Sequence, residues 1–142
     1  MAAKKYLVPI DFSTIAAKAL HYAAQLAEKS RGSSLLVLHV ITEPASHVPF
    51  YLRKQFYAEL EQSARKRISS LLKRKPATRV KCAIVVVRAA DAAGAIAREA
   101  KKSRAAMIVM GSHGRKGLKR LLLGSVAEKT AGSAACPVLI IK

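Results

Sequence analysis

Residues 110–125 read Met-Gly-Ser-His-Gly-Arg-Lys-Gly-Leu-Lys-Arg-Leu-Leu-Leu-Gly-Ser, so four of the chain's seven glycines (Gly111, Gly114, Gly117 and Gly124) fall in one short stretch. Lacking a β-carbon, glycine adopts positive φ readily and lets an anion approach the backbone amides. His113, Arg115, Lys116, Lys119 and Arg120 add cationic or protonatable groups around those amides. An apolar run at residues 105–110 precedes the stretch, and Ser125 follows it as the expected start of a helix. A strand that empties into a basic, glycine-rich loop and then a helix start suits phosphate, because free amides and the helix dipole both favour negative charge. Ser125-Val-Ala-Glu128 also matches a capping box, so Ser125 is expected to cap its helix while presenting an amide to the anion.

Other chemistries find little support. The chain has no Gly-Lys pair for a Walker A loop and no Gly-x-Gly for a dinucleotide fingerprint. Metal-assisted hydrolysis wants two or more carboxylates around the ion, but the only aspartates are Asp11 and Asp91, and Asp91 reads as a helix cap. Glu128 points back at its own cap, so no acid/base pair assembles easily. His113 is the only histidine of the loop and reads as a phosphate contact. His39 falls within an apolar strand, where it is expected to be hydrogen-bonded, and His21 and His47 read as surface positions. No serine sits in a Gly-x-Ser-x-Gly elbow, and neither Cys82 nor Cys136 has a histidine nearby in sequence. Both cysteines read as reduced packing residues.

The elements that must position the loop follow from periodicity. Residues 5–10 form a first strand ending at Asp11, and Ser13 is a plausible N-cap for a helix with Ile15, Ala19, Leu20, Ala23, Ala24 and Ala27 on one face. Residues 35–40 form a second strand. A helix is expected from Phe50, with Leu52, Phe56, Leu60, Ala64, Ile68 and Leu72 on its stripe, a Glu61/Arg65 pair outside, and Pro76 as its stop. Residues 80–87 make a third strand, Asp91 caps a third helix, residues 105–110 make the fourth strand, 125–134 the last helix, and 138–141 the fifth strand. Continuous apolar strands alternating with helices argue for a parallel sheet covered on both faces. In such sheets ligands bind beyond the C-terminal ends of the strands, where the strand order reverses. Strands one and four, ending at Asp11 and Gly111, face that crevice if they are neighbours.

At 142 residues the chain fits one domain, and no stretch approaches the roughly 20 apolar residues of a membrane span. The N-terminus enters a strand almost at once, with no apolar leader or cleavage site, so the cytoplasm is the expected compartment. Lys and Arg number 26 against 8 Asp and Glu, a formal charge of +18 that favours polyanionic partners. These cations are spread over several helical faces, as at Arg65-Lys66-Arg67, Lys73-Arg74-Lys75 and Lys101-Lys102, and read mainly as a solvated basic surface.

Gly111-x-x-Gly114, nine residues, then Gly124-Ser125 resembles the G-2x-G-9x-G-S/T signature of the ATP-binding branch of the universal stress proteins. The resemblance extends to Val8-Pro9-Ile10-Asp11-Phe12-Ser13 at the first strand and Cys136-Pro137-Val138-Leu139-Ile140 at the last, so it covers nearly the whole chain. It implies a single-domain α/β fold over residues 1–142, adenine-nucleotide α-hydrolase-like, with an open parallel five-stranded sheet of order 3-2-1-4-5 and helices on both faces. It implies ATP as ligand, with Mg²⁺ or Mn²⁺ at the phosphates. Pro9, Ile10 and Asp11 would belong to the nucleotide site, with Asp11 meeting the ribose, and Val40 would meet the adenine through its backbone. Met110 and Gly111 would flank the sugar, while His113, Gly114, Arg115, Gly124, Ser125 and Val126 would line the phosphates. It further implies a homodimer through Val138, Leu139, Ile140 and Ile141, whose edge would otherwise stand unpaired.

The segment Arg88-Ala89-Ala90-Asp91 departs from the family's glycine, acidic residue and proline after strand three, and Ala106 stands where an acidic residue usually precedes strand four. The first reading is therefore an ATP-binding, nucleotide-gated stress-response and interaction module without efficient catalysis. A second is a basic nucleic-acid-binding module, since Gly114-Arg-Lys-Gly117 resembles the KH loop, although that loop lies between helices rather than after a strand. A third is very slow ATP hydrolysis.

Overall fold

The computed structural model describes residues 2–74, 77–114 and 122–142. Pro76, Arg115, Lys116, Gly117, Lys119 and Arg120 lie outside the described residues. The elements run β1 (Lys5–Pro9), α1 (Thr14–Glu28), β2 (Ser34–Ile41), α2 (Arg53–Leu72), β3 (Lys81–Arg88), α3 (Ala92–Ser103), β4 (Met107–Gly111), α4 (Ser125–Ser133) and β5 (Val138–Ile141). Every strand pair is parallel, in the order β3-β2-β1-β4-β5 that the family resemblance implies.

Successive strand residues feed opposite faces of the sheet. Tyr6, Val8, Ile10, Leu35, Val37 and Val109 pack with the alanine-rich face of α1 and with Ile68 of α2. The intervening Leu7, Leu36, Leu38, Ile108 and Met110 pack with Ile96 and Ala100 of α3 and Ala127 of α4. Burial on both faces is why these strands read as unbroken apolar runs. The six residues expected on the inner face of α1 are all buried. Ser13 is its N-cap, its hydroxyl oxygen accepting from the Ala16 amide at 3.2 Å.

Three local expectations are corrected. The helix expected from Phe50 begins at Arg53, because Pro49 lacks an amide and Leu52 N–H bonds the Pro49 carbonyl instead, closing a 3₁₀ turn over Phe50–Leu52. Of the expected α2 stripe only Ala64 and Ile68 are buried, since α2 packs on the edge strand β3 and on β2, and Leu52 is 41% exposed. The Glu61/Arg65 pair is made, at 3.3 Å. Asp91 holds the N-cap position of α3 without a side-chain cap bond; its carboxylate lies over Gly94, where an added β-carbon would come within 2.5 Å of Oδ2.

With so little of α2 buried, Ile68, fully inaccessible to solvent, anchors it. Ile68→Ala is expected to lower unfolding free energy by about 2–5 kcal/mol, measurable by urea denaturation. Leu60→Ala, at a half-buried position of the same helix, is expected to cost clearly less.

Candidate functional site

The reversal in strand order falls between β1 and β4, and the candidate residues converge at their C-terminal ends. β1 runs out through Pro9, paired with Leu38, and the buried Ile10, whose amide donates to the Leu38 carbonyl at 2.7 Å. Val40 lies near the end of β2, opposite Val87. Met110 is buried in β4, and Gly111 ends that strand against the first turn of α1: a β-carbon there would stand 2.8 Å from Cγ2 of Ile15.

Asp11 joins strand, helix and loop. Its Oδ1 accepts from the Ser13 amide at 2.9 Å, and its Oδ2 lies 2.6 Å from where a β-carbon on Gly114 would stand. The carboxylate from the end of β1 therefore reaches the backbone at the start of the glycine loop, and glycine at position 114 makes room for it. The next residue, Phe12, has φ +66°, a left-handed conformation costing a bulky side chain roughly 1–2 kcal/mol. That turn points the chain into α1 while leaving the Asp11 carboxylate on the crevice side. Nothing in the sequence pattern signalled it.

The described ends of the loop are fastened together. The Gly124 amide donates to the Ser112 carbonyl at 2.6 Å, and the Ser112 amide donates to the Ile141 carbonyl of β5 at 2.8 Å. A β-carbon at Gly124 would stand 3.0 Å from both the Ser112 oxygen and the His113 Cα, so the neck is tight there. His113 is exposed, with Nδ1 3.0 Å from the Ser112 hydroxyl. The candidate residue Arg115 lies outside the described residues.

The expected capping box at Ser125 is not formed. Gly124 is the N-cap of α4, with extended φ −62° and ψ 152°, and no side-chain cap bond is made. Ser125 is thus the first helical residue, since the neck holds Gly124 in the cap position. Ser125 and Val126 are exposed at the head of α4 beside the neck, where first-turn amides point out of the helix and its dipole is positive.

His39 is half-buried, and its Nδ1 lies 2.6 Å from the Ile10 carbonyl; a carbonyl only accepts, so Nδ1 carries the proton. His21 and His47 are exposed, as expected. Cys82 donates to the Val80 carbonyl at 3.2 Å, and burial pushes its thiol pKa up, away from the reactive thiolate. Among the described residues no three His, Cys, Asp or Glu side chains cluster to hold a metal ion, and no helix is long and apolar enough to cross a membrane.

Fold and crevice together define an α/β protein of the adenine-nucleotide α-hydrolase-like class. The chain belongs to the universal stress protein family, whose model matches residues 2–142. It is 34% identical to Universal stress protein YxiE of Bacillus subtilis, over 97% of this chain and 98% of that one. It is similar to the solved structure of hypothetical protein MJ0577, with a TM-score of 0.86 and 29% identity over 100% of this chain and 97% of that one. A universal stress protein from Archaeoglobus fulgidus in complex with dAMP shares the fold, with a TM-score of 0.69 and 22% identity over 100% of both chains.

The glycine contacts separate site from scaffold. Gly111→Ala drives a β-carbon into Ile15 and is expected to cost about 1–3 kcal/mol of stability. Gly114→Ala meets Asp11 Oδ2, and moving that carboxylate loses the bond it accepts from the Ser13 amide, so its urea midpoint is expected to fall, but by less than that of Gly111→Ala, while the Asp11 side chain is displaced. Equal loss of stability in the two variants would contradict this division.

Proposed function

We propose that this chain binds ATP in the crevice beyond β1 and β4 and acts as a nucleotide-gated interaction module. The observation that carries the reading is the meeting of the Asp11 carboxylate with the backbone at Gly114, beside a loop neck closed by the Gly124–Ser112 bond. This geometry supplies an acceptor for ribose hydroxyls next to amides suited to phosphate oxygens. Pro9 and Ile10 would stand beside Asp11 in the site, Val40 would border the base, Met110 and Gly111 the sugar, and His113, Gly114, Arg115, Gly124, Ser125 and Val126 the phosphates. The relative solved with dAMP supports an adenylate as ligand. A Mg²⁺ or Mn²⁺ ion would be held mainly through the phosphates, which supply hard oxygen ligands. Residues 1–142 would act as a single domain in the cytoplasm.

Gating follows from the neck. The Ser112 amide is bonded to the end of β5, so a triphosphate held at the neck between Ser112 and Gly124 would bear directly on that edge strand. Among the described residues β5 has β4 on one side only, and an open edge offers its amides and carbonyls to a second chain. We propose that two copies pair there through Val138, Leu139, Ile140 and Ile141. The Pro137 and Ile141 carbonyls face β4, so by strand alternation the Ile140 amide faces outward.

Calorimetry with Mg·ATP is expected to register binding that Gly114→Val weakens at least tenfold; no heat from the parent protein would refute the reading. Ile140→Pro removes an outward amide without touching the β4 ladder. It is expected to turn a dimer into a monomer in light scattering while ATP still binds. A parent protein that is already monomeric would refute the pairing.

A further inference from the structure

Two elements outside the glycine loop hold Phe12 in its left-handed conformation. His39 of β2 packs against the ring with centroids 4.8 Å apart and planes tilted by 42°, and His39 is fixed by its bond to the Ile10 carbonyl. From α2 the guanidinium carbon of Arg67 lies 3.7 Å from the centre of the same ring. Arg67 directly precedes Ile68, the buried anchor of α2. Residues in sparsely populated backbone regions persist where their surroundings over-determine them. Here the surroundings are an imidazole, a guanidinium and the Ser13 cap, whose amide is held by Asp11 Oδ1.

We propose that Arg67 is a positioning residue for Asp11. By clamping the Phe12 ring it fixes the left-handed turn, and the turn aims the Asp11 carboxylate at the mouth of the loop, where it selects a sugar bearing free hydroxyls. The inference rests on the nucleotide reading above for the ligand, but the clamp itself belongs to the unliganded protein. Among the exposed arginines and lysines of α2, Arg67 thereby gains a role in the crevice. The guanidinium acts on the ring as a cation over a π face, so lysine is expected to preserve part of the effect and alanine none.

The test compares ATP with 2′,3′-dideoxy-ATP in calorimetry, alongside hydrogen exchange at the Ser13 amide without nucleotide. Arg67→Ala is expected to weaken ATP binding roughly 3- to 30-fold, the range of such a contact. Dideoxy-ATP binding should hold within about twofold, because that ligand offers Asp11 no hydroxyl. Ser13 protection should fall in parallel, and Arg67→Lys should recover part of both. In a Phe12→Gly background, where glycine adopts φ +66° without strain, the same Arg67→Ala change is expected to have no effect on ATP binding. Equal weakening for ATP and dideoxy-ATP would overturn the proposal, showing Arg67 to be a general attractor of phosphate. Unchanged Ser13 protection in Arg67→Ala would overturn the clamp whatever the nucleotide does. A parent protein that binds neither nucleotide, yet loses Ser13 protection in Arg67→Ala, would uphold the clamp and overturn its link to ribose.

Discussion

One steric constraint organises the crevice: the carboxylate of Asp11 and the backbone of Gly114 occupy adjoining space, and a β-carbon cannot fit between them. The constraint arises from topology. In a parallel sheet of order β3-β2-β1-β4-β5 the chain departs to opposite sides from β1 and β4, which leaves a gap where their C-terminal ends meet. Asp11 enters that gap from one side and the glycine loop from the other. The Ser112–Gly124 bond closes the loop's neck, and Gly124 in the cap position turns the first amides of α4 outward. Strand end, loop neck and helix head thus adjoin, with a carboxylate at their edge.

That arrangement explains why so basic a chain need not be read through its net charge. The +18 balance concerns long-range attraction and solubility, whereas recognition needs groups at fixed positions. Many of the described cations, such as Lys66, Lys101 and Lys102, are exposed on helices. Polyanions of several kinds would be drawn to such a surface.

The fold was legible because its signals are local and repeated. Unbroken apolar runs gave the strands, the spacing of Ile15, Ala19, Leu20, Ala23, Ala24 and Ala27 gave α1, and Ser13 gave its cap, as observed. The glycine spacing marked the loop and Asp11 marked the facing strand end. What escaped the sequence depends on contacts between distant residues. Ser125 matches a capping box, yet Gly124 takes the cap because Ser112 pins it. The apolar stripe on α2 implied one inward face from Leu52 to Leu72, but a periodic face is buried only where something lies beneath it, and α2 sits at the β3 edge of the sheet. Phe12 carries no sequence signal for positive φ, since a partner from β2 and another from α2 hold it there. Arg67 read as one more solvated cation for the same reason.

The central claim, that the β1/β4 crevice is an adenylate site, is tested most directly by a crystal structure of the protein grown with Mg·ATP. The account predicts ribose hydroxyls within hydrogen-bonding distance of Asp11 and phosphate oxygens on the amides of Gly114, Ser125 and Val126. A nucleotide lying instead along the basic face of α2, with the crevice filled only by water, would contradict it.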